Sequence, residues 1–203
     1  MSNKFMLGVK GRMTQIFDEA GKVAAVTAVT ATPMTVTQVK TVEKDGYNAV
    51  QIGSGERKES RIKTPQKGHL KDLPMVRHMR EFEGEGLERG AKIDVTTFAV
   101  GDVVIVSAIS KGKGFQGVVK RHGFKGGPRS HGQKNKERAP GSIGGAGRAG
   151  GRVAKGMRMA GRMGGDRVTV KNLKVLGVDV AKNLLLISGA VPGRPGTLIE
   201  IRG

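Results

Sequence analysis

Residues 111–168 constrain this chain more than any other stretch. Their 58 positions hold 17 Gly and 15 Lys or Arg, against two acidic residues, Glu137 and Asp166. They therefore carry +13 of the formal net charge of +19, and the other 145 residues carry only +6. Such a composition buries too little apolar surface to offset the conformational entropy of ordering it. It is not a tail, because strand-like sequence flanks it at 103–109 and 168–180. A long structureless insertion inside a compact domain is either functional or ordered by a partner. The partner selected by this charge is a polyanion, whose phosphates take the place of a core.

The rest of the composition narrows the class of partner. An excess of cations suits nucleic acid or an anionic membrane surface. A membrane surface calls for a basic amphipathic helix with a strong apolar face, and the basic stretch is too rich in Gly to form one. Nucleic acid is favoured. With one Tyr, six Phe and no Trp, the chain has few platforms on which bases could stack, so phosphate contacts should dominate. The absence of Cys excludes disulfides and thiolate metal sites and fits a reducing compartment. The N-terminal MSNKFMLGVKGRM lacks the apolar centre of a signal peptide, and no run approaches the roughly 18 apolar residues of a membrane span. A soluble cytoplasmic protein with no membrane partner is expected.

At 203 residues the chain suits one domain, or one domain with large insertions. Its first part reads as short strands at 5–9, 13–18, 23–31, 34–43 and 49–53. Asp18-Glu-Ala-Gly21 is a hairpin candidate and Lys44-Asp-Gly46 a strong turn signal. Residues 55–91 turn polar and read as an insertion containing a short helix. Asp72 would cap that helix and Pro74 would sit in its first turn. Met75, Met79 and Phe82 would then share one face. Strands resume at 92–95 and 103–109, and after the basic stretch at 168–180, 184–191 and 198–201. The expected fold is mainly β: a small barrel formed by 1–110 and 169–203 together, interrupted by an arm at 111–168. Doubled back on itself, with roughly 29 residues per limb, the arm could reach several tens of ångströms at about 3.3 Å per extended residue.

No catalytic constellation emerges. Gly112-Lys-Gly-Phe-Gln-Gly117 fits the dinucleotide pattern G-x-G-x-x-G, follows a strand, and has Glu137 20 residues beyond its last glycine. That pattern needs a helix opening in the glycines and a second strand bearing the acid, and here the continuation is basic and broken by Gly and Pro. The glycines better serve close approach of backbone to phosphate. A dinucleotide-dependent enzyme stays as the alternative of another class. The four histidines, His69, His78, His122 and His131, lack metal-ligand spacing, and no nucleophile elbow or Walker loop is present. Met157, Met159 and Met163 alternate with Arg158 and Arg162, thin flexible side chains suited to irregular crevices.

Several short motifs follow one another along the basic stretch. They are Ser110-Lys-Gly-Lys-Gly-Phe-Gln-Gly-Val-Val-Lys-Arg121, Gly126-Gly-Pro128, Ser130-His-Gly132, Pro140-Gly-Ser-Ile-Gly144, Lys155-Gly156, Met159-Ala-Gly161 and Arg167-Val-Thr-Val170. With Leu7-Gly-Val-Lys10, Met13-Thr14, Asn183-Leu-Leu-Leu186 and Gly189-Ala-Val-Pro-Gly193 near the ends, the chain resembles the universal large-subunit ribosomal protein three family in its bacterial form. The resemblance spans nearly the whole chain. It implies a split β-barrel of the translation-protein type and an arm running through large-subunit rRNA toward the peptidyl-transferase region. It also implies a part in early subunit assembly, neighbouring large-subunit proteins as partners, and a ribosome-bound location. No small-molecule substrate, catalytic residue or cofactor is implied, apart from structural Mg2+ that rRNA itself can hold.

The residues expected to meet rRNA are the cations of the arm and its histidines. The first limb supplies Lys111, Lys113, Lys120, Arg121, His122 and Lys125; the middle supplies Arg129, His131, Lys134, Lys136 and Arg138; the return supplies Arg148, Arg152, Lys155, Arg158, Arg162 and Arg167. The chain departs from the family pattern at three points. Ile105 stands where the family has Asp or Asn, and His122 stands where bacterial relatives usually carry Trp. Residues 145–152 lack the Gln that many relatives methylate. A free RNA chaperone or a DNA-compacting protein is the remaining alternative, and retention on the large subunit through a salt wash would separate these.

Overall fold

The computed structural model describes residues 4–17, 21–84, 86–144 and 150–203. The chain divides into two units, one of Met1–Ser110 with Arg167–Gly203 and one of Lys111–Asp166. In chain order the first unit begins with β1 (Phe5–Phe17), β2 (Val23–Thr30), β3 (Met34–Lys40) and the short α1 (Val42–Asp45). It continues through β4 (Ala49–Glu56), α2 (Thr64–His69), β5 (Val76–Phe82), β6 (Lys92–Ile93) and β7 (Val103–Ile109). The second unit holds β8 (Gly114–Gln116), α3 (Val118–His122) and β9 (Gly161–Met163). The first unit is then completed by β10 (Arg167–Asp179), β11 (Leu184–Ser188) and β12 (Leu198–Arg202).

Six antiparallel strands close a barrel in the order β1-β12-β7-β10-β11-β2. Closure leaves the barrel no free strand edge to pair with another chain. The alternation along β7 shows how the sequence specifies the inside: Val104, Val106 and Ala108 are buried, whereas Val103, Ile105 and Ile109 are exposed. Ile105 thus departs from the family pattern on the outer face, opposite Arg202 of β12. Leu7, Val29, Val175, Leu185, Ile187, Ile199 and Ile201 join Val104 and Val106 in one core cluster. Met34, Val36, Val50, Ile52 and Phe82 of a four-stranded sheet, ordered β5-β4-β3-β6, belong to the same cluster. There Phe5 and Phe82 stack with ring centres 5.0 Å apart.

Three expectations are corrected. The helix expected over 72–82 does not form. Val76–Phe82 is a strand paired with β4 from Val50↔Phe82 to Glu56↔Val76, and the helix of this insertion lies earlier, at Thr64–His69. The weak spacing of Met75, Met79 and Phe82 lost to the hydrogen-bonding edge of β4, a long-range demand that local periodicity does not encode. Second, 5–9 and 13–18 are one strand, not two. The register shifts between Lys10 and Met13, and a Cβ added at Gly11 would lie 2.8 Å from the Ala28 carbonyl oxygen. Gly11 marks a bulge rather than a turn. Third, the strand at 34–43 stops at Lys40 and a single helical turn, Val42–Asp45, follows, closed by Gly46 at φ 83°. The Asp18–Gly21 hairpin turn falls on residues 18–20, outside the described residues; Phe17 and Val23 pair on either side of it.

Candidate nucleic-acid interface

In the second unit, glycine and hydrogen bonding do the work that burial does in the barrel. β8 and β9 pair antiparallel, with Gly114 opposite Met163, Phe115 opposite Arg162 and Gln116 opposite Gly161. The Lys113 N–H extends the ribbon to the Met163 carbonyl at 2.9 Å. Gly164 has φ 73°, and a Cβ there would collide with the Lys111 carbonyl oxygen, so only glycine lets these backbones approach. α3 follows at once and ends at Gly123, whose left-handed φ of 72° turns its N–H back onto the helix carbonyls. Val118 is buried beneath it. Arg121 donates from Nη1 to the Met159 carbonyl at 2.8 Å, and Nε2 of His122 lies 3.0 Å from the same oxygen. The Arg158 guanidinium sits 5.1 Å from the centre of the Phe124 ring. Residues about 35 positions apart in sequence are therefore stapled together by cations and aromatic faces.

The remaining cations face outward. Lys111, Lys113, Lys120, Lys125, Lys134, Lys136, Arg138, Arg152, Lys155 and Arg162 are all exposed and form no ion pair among the described residues. His131 is exposed as well, at a left-handed φ of 58°. Arg129 is the exception, held 2.8 Å from Glu137. Phe124, Lys125, Gly126, Gln133, Lys136 and Pro140 help line a concavity of about 670 Å³. Gly126, at φ 80°, makes it by bringing its backbone against that of Glu137, where a Cβ would collide with the carbonyl oxygen. This arrangement can bind anions, and it is no dinucleotide site. Gly114–Gln116 is a strand, α3 is only five residues long, and the Glu137 carboxylate is spent on Arg129. Among the described residues no group of His, Cys, Asp or Glu could hold a metal ion, and no helix is long and apolar enough to cross a membrane.

The family model described as ribosomal protein L3 matches residues 71–185. The large ribosomal subunit protein uL3 of Streptococcus gordonii is 52% identical over 202 residues, covering 98% of this chain and 96% of that protein. Its counterpart in Streptococcus pyogenes serotype M1 is 51% identical over the same span and shares. The chain belongs to the ribosomal protein L3 family. Family membership makes it a structural protein and not an enzyme.

Within this L3-family chain the expected site residues divide by what their side chains do. Arg121 and His122 are half-buried and hold Met159, so His122, in the position of the usual Trp, staples the unit together with its ring 5.9 Å from that of Phe124. Arg167 lies outside the second unit, at the head of β10. Its guanidinium forks onto both carboxylate oxygens of Glu200, and Nε of Arg80 approaches the same group at 3.1 Å. Burial pushes the Glu200 carboxyl up, but hydrogen bonds and charge from Arg167 and Arg80 outweigh it and hold the group below the usual carboxylate range. Arg167 therefore ties the head of β10 to Glu200 of β12, across the intervening β7. Arg148 lies outside the described residues. Sequence reasoning passed over Phe115, which is 76% exposed directly across the ribbon from Arg162. Its signal was an apolar residue among glycines and lysines, with no periodic partner.

Proposed function

We propose that this L3-family chain is a structural constituent of the large ribosomal subunit that binds rRNA chiefly through Lys111–Asp166. Ten exposed arm cations without a carboxylate partner carry this reading. Phosphate backbones repel when RNA helices crowd together, and cations fixed between them lower that cost. Phe115 adds a flat apolar face on which an unpaired base can stack beside Arg162. Specificity then comes from RNA shape and irregular single strands rather than from a base code. The basic unit reaches toward the peptidyl-transferase region, and because it compensates charge where RNA compacts, it acts early in subunit assembly. Its partners are large-subunit rRNA and neighbouring ribosomal proteins, it works ribosome-bound in the cytoplasm, and any structural Mg2+ is held by the RNA.

The test is the salt dependence of binding to large-subunit rRNA. Arg138→Ala, Arg152→Ala and Arg162→Ala should each weaken binding. Each should also lower the slope of log affinity against log salt by roughly 0.7 to 0.9. Lys174→Ala, on the barrel surface, serves as the control and should do less. Unchanged affinity and slope in all three arginine variants would make the basic unit a passive spacer.

A further inference from the structure

We propose that the first unit carries a second phosphate site, built from Arg57, Lys58, Arg61 and Arg77, which grips the rRNA backbone separately from the basic unit. The inference rests on the rRNA-binding reading above and extends it to a surface outside the basic stretch.

The cluster is made by the sheet. Glu56 at the end of β4 pairs with Val76 at the start of β5, and the Arg57 N–H reaches the Met75 carbonyl at 3.0 Å. That pairing brings Arg57 and Arg77, 20 residues apart in sequence, to one end of the sheet. A single 3-10 turn over Glu59–Arg61 follows, its last N–H bonded to the Lys58 carbonyl at 2.9 Å, which folds Arg61 back beside Lys58. The four cations, with Glu56 and His78, line a concavity of about 500 Å³.

Charge in this concavity is unbalanced. Several other cations of this unit do meet carboxylates: Lys4 with Asp102, Lys40 with Glu81, Lys182 with Asp179, and Arg80 and Arg167 with Glu200. Arg57, Lys58, Arg61 and Arg77 are exposed and form no ion pair among the described residues. The nearby Glu59 is committed to Lys67 at 2.9 Å. Only Glu56 opposes four positive charges, and a cluster of like charge gains most from an anion that neutralises it. His78, half-buried at its back, senses the same field: burial, then Arg77, Arg80 and Arg57, disfavour its protonated form. Three of the four cations are arginines, whose planar guanidinium suits bidentate contact with phosphate. No Phe, Tyr or Trp lines the concavity and the one ring there, His78, is half-buried, so the site takes backbone phosphates and leaves bases unread.

The experiment uses the full chain and transcribed large-subunit rRNA. Arg57→Gln, Arg61→Gln and Arg77→Gln are combined in one variant, with thermal unfolding as the check on folding. A second variant combines Arg138→Gln, Arg152→Gln and Arg162→Gln. We expect the first to lower the log–log salt slope by roughly 2, with affinity falling about tenfold or more at moderate salt. Arg57→Lys, Arg61→Lys and Arg77→Lys together should restore most of the slope. A wild-type slope in the first variant, with a reduced slope in the second, overturns the proposed site and leaves the basic unit as the rRNA binder. Wild-type slopes in both overturn the rRNA-binding reading and this site with it. A slope that falls but is not restored by lysine shows that fold, not charge, was lost, and also overturns the proposal.

Discussion

The barrel and the basic unit use the same antiparallel hydrogen bonding to opposite ends. In the barrel, bonded strands bring Leu185, Ile187, Ile199 and Ile201 out of water. In Lys111–Asp166 the paired strands are three residues each, and Val118 is the one buried hydrophobic residue among those described. The barrel's buried carboxylate, Glu200, draws Arg80 and Arg167 onto itself, whereas among the described residues of the basic unit Arg129 pairs with Glu137 and most cations are exposed. Order that comes from burial is complete within the chain. Order that rests on so little burial is weaker, and on the reading proposed above a counter-charge completes it.

Amide exchange on the free protein should break the two units apart most sharply. Amides of β12 should exchange only through global unfolding, and those of Lys111–Asp166 several orders of magnitude faster through local opening. Adding large-subunit rRNA should narrow the gap. Equal protection without RNA would mean that the basic unit holds itself together, and the contrast would fall.

A smaller effect isolates the burial side. Leu185 is fully buried, and Leu185→Ala should cost about 2–5 kcal/mol through lost transfer energy and a residual cavity. Urea unfolding of the barrel would measure it. Exchange in Lys111–Asp166 should not change; if it slows or quickens in step, the units are coupled.

The smallest effect concerns the charge that the barrel does bury. Glu200→Gln should cost roughly 1–3 kcal/mol near neutral pH, since charge-assisted bonds from Arg167 and Arg80 weaken and both guanidinium groups remain half-exposed to water. The folded Glu200 carboxyl is held below its ordinary value. Its contribution is therefore complete above the ordinary carboxylate range and disappears as pH falls through the depressed folded value. Stability measured against pH should show this acid limb in the wild type and a shallower one in the variant, the two converging at low pH. Parallel curves would assign the depression to something other than these ion pairs.

The strands of the barrel were legible because their signal is local. Val103–Ile109 stands where the sequence places it, and the strands after the insertion differ by a few residues at their ends, since alternating burial writes a period of two into the chain itself. The excess of glycine and like charge from residue 111 onward was equally plain, because such a composition cannot bury a core whatever surrounds it. The family motifs were legible for the same reason, as runs of contiguous residues. Other features were decided only by the tertiary structure. Val76–Phe82 became a strand because β4 offered it an edge, and Gly11 became a bulge because Ala28 lay across from it. Arg167 looked like one more basic-arm cation until β12 brought Glu200 to it, and Arg57 became a neighbour of Arg77 only when β4 met β5. Composition and period belong to a segment, whereas strand partners and counter-charges come from residues far away in sequence, and folding alone brings them together.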